Sequence, residues 1–261
     1  MLELNNIYNM DCVSGMKLLD NSFIDLTITS PPYDDIRDYN GYEFNFQEIA
    51  KELYRVTKDG GIVVWIVSDK THNFSESGTS FRQALYFKEI GFKIYDTMIF
   101  AKKNPIPLNH RRYEQQFEYM FIFSKGKPST FNPLKVRCKY AGRKKSGTFR
   151  HNSDGILSQA HKKSGVKQYK NRYNIWYYKV DNYSITEDKI AHTHPAIFPE
   201  SLVEDHILSW SNSGNVVMDI FMGSGTVGKV ALLNKRKFIG FEISKGYVEV
   251  ANARIKIYKD K

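Results

Sequence analysis

The sequence predicts a doubly wound, mostly parallel α/β sheet that carries a basic insertion. Three observations predict it. Short apolar runs alternate with amphipathic stretches over residues 1–124 and again over 190–261, as strands joined by crossover helices do. Between them, residues 125–189 lose that periodicity and become basic, with Gly and Ser interspersed. The run Val216–Gly228 has the order apolar strand, glycine turn, helix start that a nucleotide-binding loop requires.

Taken in order, Leu2–Tyr8 and Phe23–Thr29 read as strands joined by a helix over Val13–Leu19. Phe46, Ile49, Leu53 and Val56 recur at helical spacing and form an apolar stripe. Asp59-Gly60-Gly61 ends that helix, and Ile62–Val67 follows as a buried strand. Ser80–Ile90 reads as a helix stopped by Gly91. Phe92–Phe100 and Phe117–Phe123 read as strands, the second stopped by Ser124-Lys125-Gly126. Beyond the insertion come a helix around Glu200–Trp210, a strand Val216–Phe221, a helix to about Leu233, a strand Phe238–Glu242 and a C-terminal helix. The expected organisation is a catalytic α/β domain made of 1–124 and 190–261, interrupted by a basic segment at 125–189.

Composition narrows the partners. The 261 residues carry a net charge of +10, yet residues 125–179 hold 15 Lys and Arg against Asp154 alone. Aromatic residues are interleaved with these bases: Tyr140, Phe149, Tyr169, Tyr173, Trp176, Tyr177 and Tyr178. Cations that neutralise phosphates, together with rings that stack, make a nucleic-acid composition. Arg143, Lys144 and Lys145, with Lys162 and Lys163 in the echoing Lys-Lys-Ser-Gly runs, are the candidate residues for binding DNA or RNA. No apolar run approaches the ~18 residues of a membrane span. The first residues lack a basic-then-apolar signal, so a cytoplasmic protein is expected. Cys12 and Cys138 give no disulfide framework, and the seven histidines lack ligand spacing, so no metal is predicted.

Two motifs carry chemistry. Ser30-Pro31-Pro32-Tyr33 follows directly on the strand Phe23–Thr29. Two prolines fix φ and remove two backbone donors, which leaves the carbonyls of Ser30 and Pro31 to accept from a planar amine. Tyr33 adds a face on which a base can stack. The second motif places Gly223, Gly225 and Gly228 in the spacing G-x-G-x-x-G, with Glu242 ending the next strand. Such glycines let backbone approach a nucleoside, and the acid can accept both ribose hydroxyls. Asp219, just before the loop, suits a cationic amino group better than a pyrophosphate. That favours S-adenosylmethionine over NAD, and a NAD-dependent oxidoreductase would leave Ser30–Tyr33 and the basic segment without a role.

These residues resemble the DNA amino-methyltransferases, which move a methyl group from S-adenosylmethionine to an exocyclic base nitrogen. Ser30–Tyr33 is similar to their Asp/Asn/Ser-Pro-Pro-Tyr/Phe motif. Asp219-Ile220-Phe221-Met222-Gly223-Ser224-Gly225-Thr226 resembles their cofactor motif, with Ile220 where proline is usual. His194–Leu202 is also typical, and the order of motifs is that of the β group. The resemblance implies a Rossmann-like methyltransferase fold, S-adenosylmethionine as cofactor, and double-stranded DNA with a flipped target base as substrate. It further implies that Asp11 and Cys12 flank the cofactor adenine and that Phe221 packs on the methionine portion. Glu242 would hold the ribose, with Phe198, Asp219, Gly223, Ser224, Gly225 and Thr226 completing the site.

Ser at the first catalytic position resembles the cytosine-N4 enzymes, and Asp or Asn the adenine-N6 enzymes. Cytosine-N4 transfer within a restriction–modification system is therefore expected, with adenine-N6 as the alternative. A cognate endonuclease is a possible partner, and the chain is expected to be a monomer or homodimer. A ring-carbon methyltransferase would need a thiolate beside proline, and neither Cys12 nor Cys138 follows one.

Overall fold

The computed structural model describes all residues except 1, 33–43, 106, 108–110, 144–147, 152–153, 161–164, 195–196 and 260–261, and omits the side chains of 148–151, 158–160, 182 and 259. Asn6–Asn9 (β1), Cys12–Lys17 (α1), Ile24–Thr29 (β2), Phe46–Val56 (α2) and Thr57–Val67 (β3) open the fold. A small hairpin, Thr71–His72 (β4) and Ser75–Glu76 (β5), precedes Thr79–Glu89 (α3), Lys93–Lys102 (β6) and Phe117–Ser124 (β7). Lys135–Arg137 (β8), Thr148–His151 (β9), Leu157–Ala160 (β10) and Tyr169–Asn171 (β11) are short. Ile175–Tyr178 (β12), Asn182–Ile185 (α4), a 3-10 turn at Lys189–Thr193 and Glu200–Trp210 (α5) follow. Val216–Asp219 (β13), Thr226–Leu233 (α6), Lys237–Glu242 (β14) and Lys245–Lys259 (α7) complete the chain.

Eight strands form one sheet in the order β1-β14-β13-β2-β3-β7-β6-β12. Only β7 runs against its neighbours β3 and β6; every other pair is parallel. The carboxyl ends of seven strands therefore share one edge, where open α/β sheets bind ligands. The central strands are apolar because both of their faces are covered: β3 from Gly60 to Val67 is buried throughout. On one face α2 buries Ile49, Ala50, Leu53 and Val56 among Trp65, Phe87, Phe121 and Phe123. Asn45 caps α2 by accepting from the Glu48 N–H at 3.3 Å. Leu53 is fully enclosed, so Leu53→Ala would cost about 2–5 kcal/mol.

Two differences from the sequence reading have physical causes. Asp59-Gly60-Gly61 does not separate helix from strand; it lies inside β3 as a bulge. Ile24 pairs with Thr57 while Leu26 pairs with Ile62, so the extra residues loop out of the ladder. Gly60 adopts φ +78°, and its N–H and carbonyl are satisfied by the Lys125 carbonyl and the Ser129 N–H. The second difference concerns the insertion. The chain divides into one unit of Met1–Asn132 with Asn174–Lys261 and a second of Pro133–Tyr173, narrower than 125–189. Lys125 donates to the carbonyls of Tyr54 and Thr57, and Asn132 to that of Ser209, which binds 125–132 to the first unit. β12 pairs in parallel with β6 and buries Trp176 and Tyr178. Those two rings, expected to stack on nucleic acid, are core residues instead. Trp176 packs on the His206 ring at 4.8 Å, and the Tyr178 hydroxyl donates to Asp205.

The second unit consists of two antiparallel pairs, β8 with β11 and β9 with β10. It holds twelve Lys and Arg against Asp154, so it accounts for the whole of the chain's positive surplus. Tyr140, Tyr169 and Tyr173 are exposed there. Arg143 lies over Tyr140 at 4.9 Å and Lys170 over Tyr173 at 3.8 Å. A cavity of about 360 Å³ is lined by Lys135, Lys167, Lys170, Tyr169 and Cys138. Lys144, Lys145, Lys162 and Lys163 lie outside the described residues, as does Tyr33. Among the described residues, no helix is long and apolar enough to cross a membrane.

Candidate active site

β2 and β13 are adjacent parallel strands, with Leu26 opposite Val217 and Thr27 opposite Met218. Their carboxyl ends therefore emerge side by side, although 190 residues separate them in sequence. Thr29, the last residue of β2, donates from Oγ1 to Asp219 Oδ1 at 2.7 Å. The Phe221 N–H donates to the same oxygen at 3.0 Å. Ser30, Pro31 and Pro32 continue directly from Thr29, with Pro31 buried and the other two half-buried. One hydrogen bond thus joins the two strand ends from which the Ser-Pro-Pro tip and the glycine loop continue.

Asp219 is almost wholly enclosed, and among the described residues no cationic side chain pairs with it. Burial pushes its carboxyl up to about 7; the bonds from Thr29 and Phe221 only partly counter this, and the Glu242 charge adds to the rise. A buried carboxylate poised near neutrality marks a place where a cation is welcome.

The loop after Asp219 turns on Gly223, at φ +50°. Its N–H donates to Glu242 Oε2 at 2.8 Å, and the Ser244 N–H donates to Oε1 at 2.8 Å. A Cβ at position 223 would lie 2.9 Å from His194 Nε2, so side-chain-free backbone is needed here on two counts. The His194 ring in turn packs on Tyr247, near the start of the C-terminal helix, at 4.4 Å. Ile220 lies buried in the core cluster.

At the far side of β14, Asn9 of β1 pairs with Glu242 and donates from Nδ2 to the Glu242 and Ile243 carbonyls. Asp11 follows as the N-cap of α1, accepting from the Ser14 N–H at 2.9 Å. Cys12 beside it is buried, and burial first, with the Asp11 charge second, pushes its thiol up to about 12. It stays protonated at neutral pH and is no nucleophile. Asp11, Asp219 and Glu242 thus stand at the ends of three elements along one edge. Phe221 is half-buried with its ring 6.0 Å from Phe44, and Phe198 is half-buried just ahead of α5.

Ser224 and Thr226 are both buried, and their side chains turn toward Arg254 of α7. Arg254 donates from Nη1 to the Ser224 carbonyl at 3.1 Å and to Thr226 Oγ1 at 2.9 Å, and from Nη2 to Glu200 and Thr186. Its Nε donates to Asp188 Oδ2 at 2.6 Å. Lys229 of α6 donates to Asp188 at 2.7 Å and to Glu200 at 2.8 Å. Burial opposes ionisation of Asp188, but Lys229 and Arg254 outweigh it and hold the carboxyl below its ordinary range.

This network braces the glycine loop from behind, and sequence reading missed it. The signal was present: Lys229 interrupts the apolar run of α6, and Arg254 sits between Ala251 and Ile255 on the buried face of α7. Charged residues at core register positions are rarely buried unless paired.

The edge as built fits S-adenosylmethionine. Two carboxylates, Asp219 and Glu242, flank a glycine turn, so a phosphate would be repelled while a cationic nucleoside bearing ribose hydroxyls is matched in charge and hydrogen bonding. A sheet of this topology with such an edge defines an S-adenosylmethionine-dependent methyltransferase.

A family model described as DNA methylase, N6_N4_Mtase, matches residues 24–253, and the chain belongs to that family. It is 58% identical over 237 residues to the orphan methyltransferase M.BamHII of Bacillus amyloliquefaciens, covering 90% of this chain and 89% of the relative. It is 28% identical to the type II methyltransferase M.BglII of Bacillus subtilis, covering 95% and 68%. The crystal structure of the M1.HpyAVI–SAM complex is similar at 25% identity, with a TM-score of 0.62 and coverage of 95% and 98%. The PvuII DNA methyltransferase (cytosine-N4-specific) shares the fold, with a TM-score of 0.70 at 20% identity, covering 95% and 85%.

Proposed function

We propose that this DNA methyltransferase modifies the exocyclic N4 amine of a cytosine flipped out of double-stranded DNA, in a restriction–modification setting. The observation that supports this reading is the Thr29–Asp219 hydrogen bond, which ties the strand end before Ser30-Pro31-Pro32 to the strand end before the glycine loop. When bound, S-adenosylmethionine supplies an electrophilic methyl group on a sulfonium.

The protein's own residues prepare the acceptor. An amine conjugated to a base ring is a weak nucleophile because its lone pair is delocalised. Ser30 Oγ and the Pro31 carbonyl would accept its two hydrogens, favour a tetrahedral nitrogen and aim its lone pair. Pro31 and Pro32 narrow the freedom of that segment, since their φ angles are locked. Positioning with aligned acceptors can contribute several kcal/mol to the transfer step. Tyr33 would stack on the extruded base.

Glu242 would hold the ribose, its carboxylate already oriented by the Gly223 and Ser244 N–H groups. Asp219 would face the cationic end of the cofactor, and Asp11 and Cys12 would border the adenine. Phe198 and Phe221 would pack on its apolar parts, with the backbone of Gly223, Ser224, Gly225 and Thr226 lining the turn. No covalent enzyme intermediate is required, in keeping with the protonated Cys12 thiol.

The basic unit 133–173 would bind phosphates through Arg143 and its neighbouring lysines and read the target sequence. Ser30 at the first motif position supports cytosine. The test is to incubate the purified protein with DNA from a methylation-deficient bacterium and labelled S-adenosylmethionine, then digest to nucleosides. The expected labelled product is N4-methylcytosine. N6-methyladenine would overturn the choice of base, and an unlabelled digest would overturn the reading as a whole.

A further inference from the structure

The β4–β5 hairpin carries a residue that its fold does not need. Asn73 and Phe74 form the two-residue turn between Thr71–His72 and Ser75–Glu76, and both have positive φ, +47° and +64°. Such a turn favours Asn followed by Gly, and a bulky aromatic in the left-handed region is an outlier. Phe74 is 97% exposed, so its ring gains nothing from packing.

The stem beneath it is firmly held. The Ser77 N–H donates to the Lys70 carbonyl at 2.8 Å. Arg112 donates to Glu76 at 2.7 Å and to Thr71 Oγ1 at 3.2 Å, tying the hairpin to the β6–β7 loop. Asp69, nearly buried, accepts from Ser77 Oγ at 3.0 Å, from the Ser80 N–H at 2.9 Å and from Ser80 Oγ. A lone exposed phenylalanine on a mobile loop would mean little. Here the ring is presented on a braced support in a strained conformation.

Its place in the sheet gives it a partner. β3 runs parallel to β2 with Trp65 opposite Thr29, so the chain leaves β3 at Val67 on the same edge at which Ser30-Pro31-Pro32 leaves β2. The hairpin rises from that edge four residues later, with Arg111 and Arg112 on the adjoining loop. We propose that Phe74 is a wedge that enters the DNA stack where the target base has left it. An apolar ring inserted between base steps replaces the lost stacking and keeps the extruded base from returning. Arg111 beside it would meet a phosphate of the opened step.

This inference rests on the DNA-methylating reading above, and the test separates the two. Once the wild-type target sequence is identified by sequencing its methylated product, two synthetic duplexes are made. One has the target base normally paired; the other has it opposite an abasic site, where it is already loose. Single-turnover methyl transfer is measured for wild type, Phe74→Ala and Phe74→Trp, with melting temperature and S-adenosylmethionine affinity alongside.

Phe74→Ala is expected to slow transfer about tenfold or more on the paired duplex and to come within about twofold of wild type on the abasic one, since opening has been supplied. Phe74→Trp should restore the paired rate, and neither variant should change melting or cofactor affinity. A wild-type rate for Phe74→Ala on the paired duplex would overturn the wedge, as would an equal loss on both duplexes or a fall in melting temperature. Wild-type protein that leaves no methylated product to sequence, before any duplex is made, would overturn the methylating reading itself.

Discussion

Asp219→Asn isolates the electrostatics of the cofactor loop. In the folded protein the Asp219 carboxyl is moved from an ordinary 3.8 to about 7, chiefly by burial. Below about pH 3 the group is protonated in both folded and unfolded chains and costs nothing. As pH rises toward 7 the unfolded chain releases the proton while the folded one retains it, so stability falls. Above 7 both are ionised, and the folded state carries the full cost of an enclosed carboxylate. At about 1.4 kcal/mol per pH unit, the interval amounts to about 4 kcal/mol. Asn keeps the carbonyl oxygen that accepts from Thr29 and Phe221 but has no proton to lose.

Urea unfolding of both ligand-free proteins between pH 4 and pH 8 measures the difference. Asp219→Asn should become the more stable protein as pH rises, by about 4 kcal/mol at pH 8, with other groups cancelling in the comparison. It should at the same time bind S-adenosylmethionine at least about tenfold more weakly, since a cation-accepting charge is gone. Parallel pH profiles for the two proteins would refute the reasoning, and so would undiminished cofactor affinity.

Ser30→Ala should lower the rate of methyl transfer about tenfold to a hundredfold while leaving the S-adenosylmethionine Kd unchanged, as separate rapid-quench and binding measurements would show. Gly223→Ala places a Cβ against His194 at a positive φ, and titration calorimetry should find cofactor binding weakened at least about tenfold. Arg254→Met leaves Asp188 and Glu200 with Lys229 as their one cationic partner among the described residues and removes the donors to Ser224 and Thr226. Denaturant unfolding should report about 3–5 kcal/mol of lost stability.

Much of this was legible in the chain. α2 and α5 begin and end where their apolar spacing places them, and the Ser30–Pro32 tip and the Gly223 loop both fall at strand ends of one edge. Their adjacency was not readable locally, because it depends on β13 pairing with β2 across 190 residues. The β3 bulge escaped because Asp-Gly-Gly has the same composition whether it ends a helix or kinks a strand. Trp176 and Tyr178 were misread because aromatics beside lysines look alike in a stacking surface and an edge strand; only the pairing of β12 with β6 separates them. Ser224 and Thr226 sit in a cofactor motif, yet their side chains answer to Arg254, whose approach from α7 no local pattern announces.

The central claim is that the amine of a flipped cytosine meets Ser30 and Pro31 beside the Asp219–Glu242 loop. A crystal structure of the protein with S-adenosylhomocysteine and its target duplex tests this most directly. The account predicts the cytosine N4 within about 2.6–3.2 Å of Ser30 Oγ and the Pro31 carbonyl, with the ribose of the cofactor on Glu242. A target base seated away from Ser30, or a cofactor bound away from Gly223 and Glu242, would contradict it.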